Sequence, residues 1–116
     1  MAYSHLGGKM MAGGLIQEVT DDSFDSLVKE GVTLIDFFAE WCGPCRTLSP
    51  VLEEVAKELS GKAKFAKLDI DKSNATATSH KVTSVPTMIL YKDGEEVGRL
   101  VGLRDGNAIK DFINQA

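Results

Sequence analysis

The chain has 116 residues, 43% of them hydrophobic, which suits one compact domain able to bury about two-thirds of its unfolded surface. Its net charge of -4 comes from 17 acidic and 13 basic residues mixed along the sequence, so protein partners are expected and nucleic acid is not. No apolar run approaches the roughly eighteen residues of a spanning helix, and no basic region with an apolar stretch behind it opens the sequence, so neither a membrane span nor an export signal is expected.

The first 14 residues, MAYSHLGGKMMAGG, are Gly-rich and aperiodic, and Met10-Met11 offers a second start within them. They read as a flexible tail or an expression remnant, which leaves residues 15–116 as the domain. Residues 15–19 predict a short strand. Thr20-Asp21-Asp22 then supplies an N-cap and an acidic first turn for a helix with Phe24, Leu27 and Val28 on one face, ended by Gly31. Residues 32–38 form a nearly continuous apolar run, as in a central strand buried on both faces, and the one charge inside it is Asp36.

That strand leads straight into Trp41-Cys42-Gly43-Pro44-Cys45, which holds both cysteines of the chain. Two cysteines at this spacing can be a redox dithiol, half of a zinc site or an incidental pair. Zinc needs two further ligands, and only His5 and His80 are available as histidines, at no finger-like spacing. A structural disulfide closing so short a loop stabilises little. Reversible redox chemistry is therefore favoured, and no metal is expected.

A long helix begins near Cys42, with Leu48, Leu52, Val55 and Leu59 forming a stripe that Val51 and Ala56 widen, and Gly61 stops it. Pro50 lies inside this pattern and predicts a kink near the second turn. Residues 63–70 predict a strand, 73–80 a weak helix and 86–91 a strand. Asp93-Gly94 makes a tight turn into a strand over 95–101. A last helix, capped by Asp105, turns Ala108, Ile109, Phe112 and Ile113 inward. The order β-α-β-α-β-α-β-β-α predicts an α/β fold with an open, partly parallel sheet, helices on both faces and an antiparallel edge.

The dithiol falls at the C-terminal end of the central strand, where open α/β sheets place their sites. Cys42 would sit at a helix N-terminus, where free N–H groups and the dipole favour thiolate over thiol. Pro44 suits a first helical turn and stiffens the loop. Cys45, one turn further on, faces the same way and can resolve a mixed disulfide formed at Cys42.

The segment FFAEWCGPCRTLSPVLEEVA, followed by AKLDID, SVPT and KDGEEVGRLVG, resembles the thioredoxin family over nearly all of residues 15–116. The resemblance implies a thioredoxin-like fold, a central mixed five-stranded sheet flanked by four helices. It implies a protein-disulfide reductase in which Cys42 attacks and Cys45 resolves, with no bound cofactor, recharged by a thioredoxin reductase that uses NADPH. It also implies a buried aspartate at Asp36, a cis-proline at Pro86 facing the dithiol, and a glycine beside it at Gly102. Lys67, from AKLDID, stands where the family has a lysine near that aspartate.

Each assignment has a plainer counterpart. Asp36 can be satisfied by backbone groups, yet a charge in such a run is costly unless protonated or paired, and a raised pKa would suit proton exchange with Cys45. Pro86 can be a strand-start proline; if cis, it offers the Val85 backbone to an extended peptide. Trp41 can be core, but with Gly43, Pro44, Val85, Pro86 and Gly102 it is expected to form a flat apolar docking patch. A lysine in an alternating strand, such as Lys67, is commonly just solvent-facing.

Phe38 stands where many relatives carry a second tryptophan, and His80 replaces a frequent tyrosine as a partly exposed helix-end residue. Arg46 either assists the thiolate or is an ordinary exposed helical arginine. Gly-Pro between the cysteines resembles the reducing members of the family, which implies a reductase and not an oxidase or isomerase, whereas a histidine there would stabilise the thiolate and favour oxidation. A pure binding module using the Trp41 patch is the other function class. A cytoplasmic monomer that meets disulfide-containing proteins is expected, since no structural disulfide is present.

Overall fold

The computed structural model describes residues 15–116; the tail expected over residues 1–14 lies outside the described residues. Strand β1 (Ile16–Val19) is followed by helix α1 (Phe24–Val28) and strand β2 (Val32–Phe38). Helix α2 (Gly43–Glu58), strand β3 (Lys64–Asp69) and helix α3 (Asn74–Ser79) come next. The hairpin of β4 (Thr87–Lys92) and β5 (Glu95–Val101) precedes helix α4 (Gly106–Asn114). The five strands make one mixed sheet in the order β1-β3-β2-β4-β5. β3 runs parallel to both β1 and β2, whereas β4 is antiparallel to β2 and β5.

Alternation along β2 divides the core in two. Leu34 faces Leu48, Leu52, Val55 and Ile109, under α2 and α4. Ile35 and Phe37 face Phe24, Val28 and Ala77, under α1 and α3. With helices on both faces, neither face of β2 can be polar without cost, which is why its sequence is apolar apart from Thr33 and Asp36. The hairpin turns at Asp93 and Gly94, both with positive φ (50° and 89°), the type I′ geometry that matches strand twist. A bulge follows, in which Tyr91 pairs with Glu96 and Leu90 with Gly98, leaving Val97 unpaired and exposed.

Two local expectations are corrected. The cap of α1 is Ser23, not Thr20, because the 20–23 segment closes its own turn, with the Ser23 and Phe24 amides bonded to the Thr20 carbonyl. Ala108 is exposed, since only Ile109 and Ile113 of α4 are fully buried and Phe112 is half-buried. α2 runs unbroken through Pro50, which lies on its exposed side. Asp105 caps α4 as expected, its Oδ1 accepting from the Ala108 amide at 2.9 Å.

Candidate active site

β2 ends at Phe38, and the chain turns through Ala39, whose carbonyl accepts from the Cys42 amide at 3.1 Å. That turn delivers Cys42 as the N-cap of α2, with Gly43 and Pro44 in the first turn, where proline lacks only an amide that would have had no partner. Cys42 and Cys45 are joined as a disulfide with Cα atoms 5.3 Å apart. The Cys45 amide donates to Cys42 Sγ at 3.1 Å, so the first sulfur occupies the place an N-cap oxygen would take. Exposure does not distinguish the two residues, at 4% and 6%.

Beneath the disulfide, Asp36, Lys67 and Cys45 line one cleft together with Phe38, Arg46 and Ser49. Asp36 shares the β2 face of Leu34, toward α2, and pairs in register with Lys67 on β3. It is buried, and no hydrogen bond reaches its Oδ1 among the described residues. Desolvation pushes its pKa up to about 7, opposed by the Lys67 ammonium. The Lys67 Nζ lies 5.3 Å from the centre of the Phe38 ring, a cation–π contact that keeps the ammonium on this side of the sheet.

The Val85-Pro86 bond is cis. Val85 packs against the cluster of Ala39, Cys42 and Cys45, so this bond faces the disulfide. Behind it, the Gly102 amide donates to the Pro86 carbonyl at 2.8 Å, and Gly102 has φ of 95°, a conformation that side chains disfavour. Trp41 is 66% exposed, with its Nε1 donating to Asp71 Oδ2 at 2.8 Å. Gly43 and Pro44 are exposed and Val85 and Gly102 half-buried, but Pro86 itself is buried. The expected patch thus owes its exposed apolar area to Trp41 and Pro44, while Val101 and Leu103, on either side of Gly102 in the chain, are exposed as well.

Sequence reasoning missed Asp71 and Arg99. Asp71 is 30 residues from the indole it holds, and Arg99 is 19 residues from the His80 carbonyl it binds. No local spacing signals either pairing. Arg46 donates to the Glu40 carbonyl at 2.8 Å, closing the loop before the cysteines. His80, the C-cap residue of α3, packs edge-on against Phe24 and shares a 2.9 Å hydrogen bond through Nδ1 with the Tyr91 hydroxyl.

The chemistry available here is one reversible sulfur–sulfur bond with a titratable carboxyl beneath it, set at the mouth of a helix on the end of a central strand. A domain built around that bond is a thiol–disulfide oxidoreductase. The Thioredoxin family model matches residues 15–115. A thioredoxin of Staphylococcus epidermidis is 45% identical over 100 residues, covering 86% of this chain and 96% of that one. One of Chlamydia pneumoniae is 45% identical over 101 residues, covering 87% and 98%. The solved structure of a mutant thioredoxin from Halobacterium salinarum superposes with a TM-score of 0.78 at 41% identity, covering 84% of this chain and 87% of that one.

The chain belongs to the thioredoxin family. It acts by reversible dithiol–disulfide exchange through Cys42 and Cys45, and the redox element is the cysteine pair itself. Among the described residues no cluster of His, Cys, Asp or Glu is arranged to hold a metal ion, and no helix is long and apolar enough to cross a membrane.

Proposed function

We propose that Cys42 is the attacking thiol and Cys45 the resolving thiol in the reduction of disulfides in other proteins. The observation that carries this order is the Cys45 amide directed at Cys42 Sγ at the N-terminus of α2, which would stabilise a thiolate at Cys42 and not at Cys45. The Cys42 thiolate attacks one sulfur of the substrate disulfide and displaces the other as a thiolate, forming a mixed disulfide. Asp36 then takes the Cys45 proton, and Cys45 attacks Cys42 Sγ. The second substrate thiolate leaves and is protonated. Two electrons have passed to the substrate, and the Cys42–Cys45 bond has formed.

The raised pKa of Asp36 supports its part, since a carboxyl that titrates near neutrality both accepts and returns a proton at working pH. Lys67 supports this group through its charge. Docking uses Trp41, Gly43, Pro44 and Gly102, with the Val85-Pro86 segment offering the Val85 backbone to an extended substrate strand. A thioredoxin reductase drawing on NADPH restores the dithiol, in keeping with the family. The working location is read as the cytoplasm, in keeping with the bacterial thioredoxins it resembles, and the working state as a monomer.

Insulin reduction with limiting dithiothreitol tests the assignment. The parent protein is expected to accelerate the reaction, and Cys42→Ser to give the rate without protein. No acceleration by the folded, reduced parent would leave only a binding module.

A further inference from the structure

Whether Val85 can present its backbone depends on what holds the loop between α3 and β4, and the bonds that do so come largely from the edge strand β5. Arg99 makes a forked ion pair with Glu96, Nε to Oε2 at 2.7 Å and Nη2 to Oε1 at 2.8 Å. The same guanidinium donates from Nη2 to the His80 carbonyl at 2.9 Å and from Nη1 to the Lys81 carbonyl at 3.4 Å. Lys81 has φ of 59°, a left-handed conformation that a non-glycine residue keeps only where its surroundings enforce it. The His80 ring is fixed between Phe24 and Tyr91, and the Val82 amide closes back on the Ala77 carbonyl at 2.9 Å.

At the far end of the loop, Thr87 Oγ1 donates to the Ser84 carbonyl at 2.8 Å, and the Gly102 amide donates to the Pro86 carbonyl at 2.8 Å. β5 and the glycine that follows it therefore grip both ends of the segment. An ion pair with side chains 30% and 35% exposed adds little to global stability by itself. Its consequence lies in geometry, because the Glu96 fork orients a planar donor group whose remaining N–H bonds point at the loop carbonyls.

We propose that Arg99, oriented by Glu96, is a positioning residue for substrate docking, bracing the loop over residues 81–86 so that Val85 meets an incoming peptide with its backbone already fixed. The proposal rests on the docking reading of Val85 and Pro86. A preordered loop loses less conformational freedom on binding, so the effect belongs in KM. Arg99→Ala is expected to raise KM for insulin about five-fold while kcat stays within about two-fold. Amide hydrogen exchange at residues 83–85 is expected to quicken in the same variant. Glu96→Gln, which loosens the fork and keeps the guanidinium, is expected to move KM in the same direction by less.

Pro86→Ala, folded as judged by circular dichroism, separates the two ways this can fail. If Pro86→Ala raises KM while Arg99→Ala only lowers the denaturation midpoint, Arg99 is structural and the proposal is overturned. If neither variant moves KM, the docking reading fails and the proposal falls with it.

Discussion

Asp36 in β2 and Asp69 at the end of β3 lie on neighbouring parallel strands, and both are buried, at 6% and 2% exposure. Their surroundings differ. Asp69 reaches a turn where its Oδ1 accepts from the Asp71 amide at 2.9 Å and the Lys72 amide at 3.4 Å. Asp36 lies in the middle of a strand whose amides and carbonyls are committed to β3 and β4, and its Oδ1 meets no donor among the described residues. One carboxylate organises a turn. The other sits where hydrophobic packing would favour a leucine, directly beneath the disulfide. A buried titratable group without a hydrogen-bond partner, in a cleft with the reactive pair, is what the catalytic role proposed for Asp36 would require and what folding alone would not favour.

The largest effect expected from this contrast is on stability against pH. The folded chain holds the Asp36 proton up to about pH 7, whereas the unfolded chain releases it near the ordinary value of 3.8. The stability Asp36 contributes is therefore fully present below about pH 4 and is lost as pH rises through 7, a decline of roughly 4 kcal/mol. Asp36→Asn removes this slope. Urea unfolding of the oxidised proteins is expected to show the variant several kcal/mol more stable than the parent at pH 8, with the difference closing toward pH 4. A difference that does not change with pH would mean that Asp36 is not held protonated. The same variant is expected to release substrate from the mixed disulfide at least about ten-fold more slowly, and an unchanged rate would remove its catalytic role.

Asp69 is expected to respond with the opposite sign. Asp69→Ala strips two amides of their acceptor and leaves a gap at a buried position, costing about 2 kcal/mol. Asp69→Asn keeps an oxygen in place and is expected to lose less. If Asp69→Ala stabilised the protein as Asp36→Asn does, the two carboxylates would not differ in kind. Thermal unfolding at pH 7 is enough to tell these outcomes apart.

The parts of this architecture that are legible in the sequence are those fixed by short-range patterns. β2 runs over residues 32–38 and β5 over 95–101, as their residues predict, because a strand buried on both faces and a strand leaving an Asp-Gly turn each have sharp local signatures. The same kind of signal places the cysteine pair at the mouth of α2. The short helices are less legible. α3 has six residues and no side-chain cap of its own, and Asp21 Oδ1, 55 residues earlier, accepts from its Thr76 amide at 2.8 Å. Ala108 fits the apolar stripe of α4 by spacing yet is exposed, whereas Phe112, one turn later, packs partly buried against the core. The Trp41 indole that Asp71 holds and the His80 carbonyl that Arg99 binds are brought near only by the completed fold, so no short window of sequence contains either pairing.

Asp71 supplies the smallest effect and extends the contrast to the surface. Its amide is held by Asp69, and its own carboxylate holds the Trp41 indole, so a buried carboxylate holds an exposed one, which in turn holds the residue proposed to dock substrate. Being exposed, Asp71 should matter little to stability, and Asp71→Ala is expected to change it by no more than about 0.5 kcal/mol. The orientation of Trp41 should change nonetheless, because a side chain that is 66% exposed has few packing contacts to hold it. Trp41 is the only tryptophan in the chain, so steady-state anisotropy and emission report on it without interference. Asp71→Ala is expected to lower the anisotropy and shift the emission, while Asp71→Asn, which keeps an acceptor oxygen, should stay close to the parent. Identical spectra for all three would mean that the indole is held by contact with the loop and not by Asp71, and the relay from Asp69 to the docking face would end one residue short.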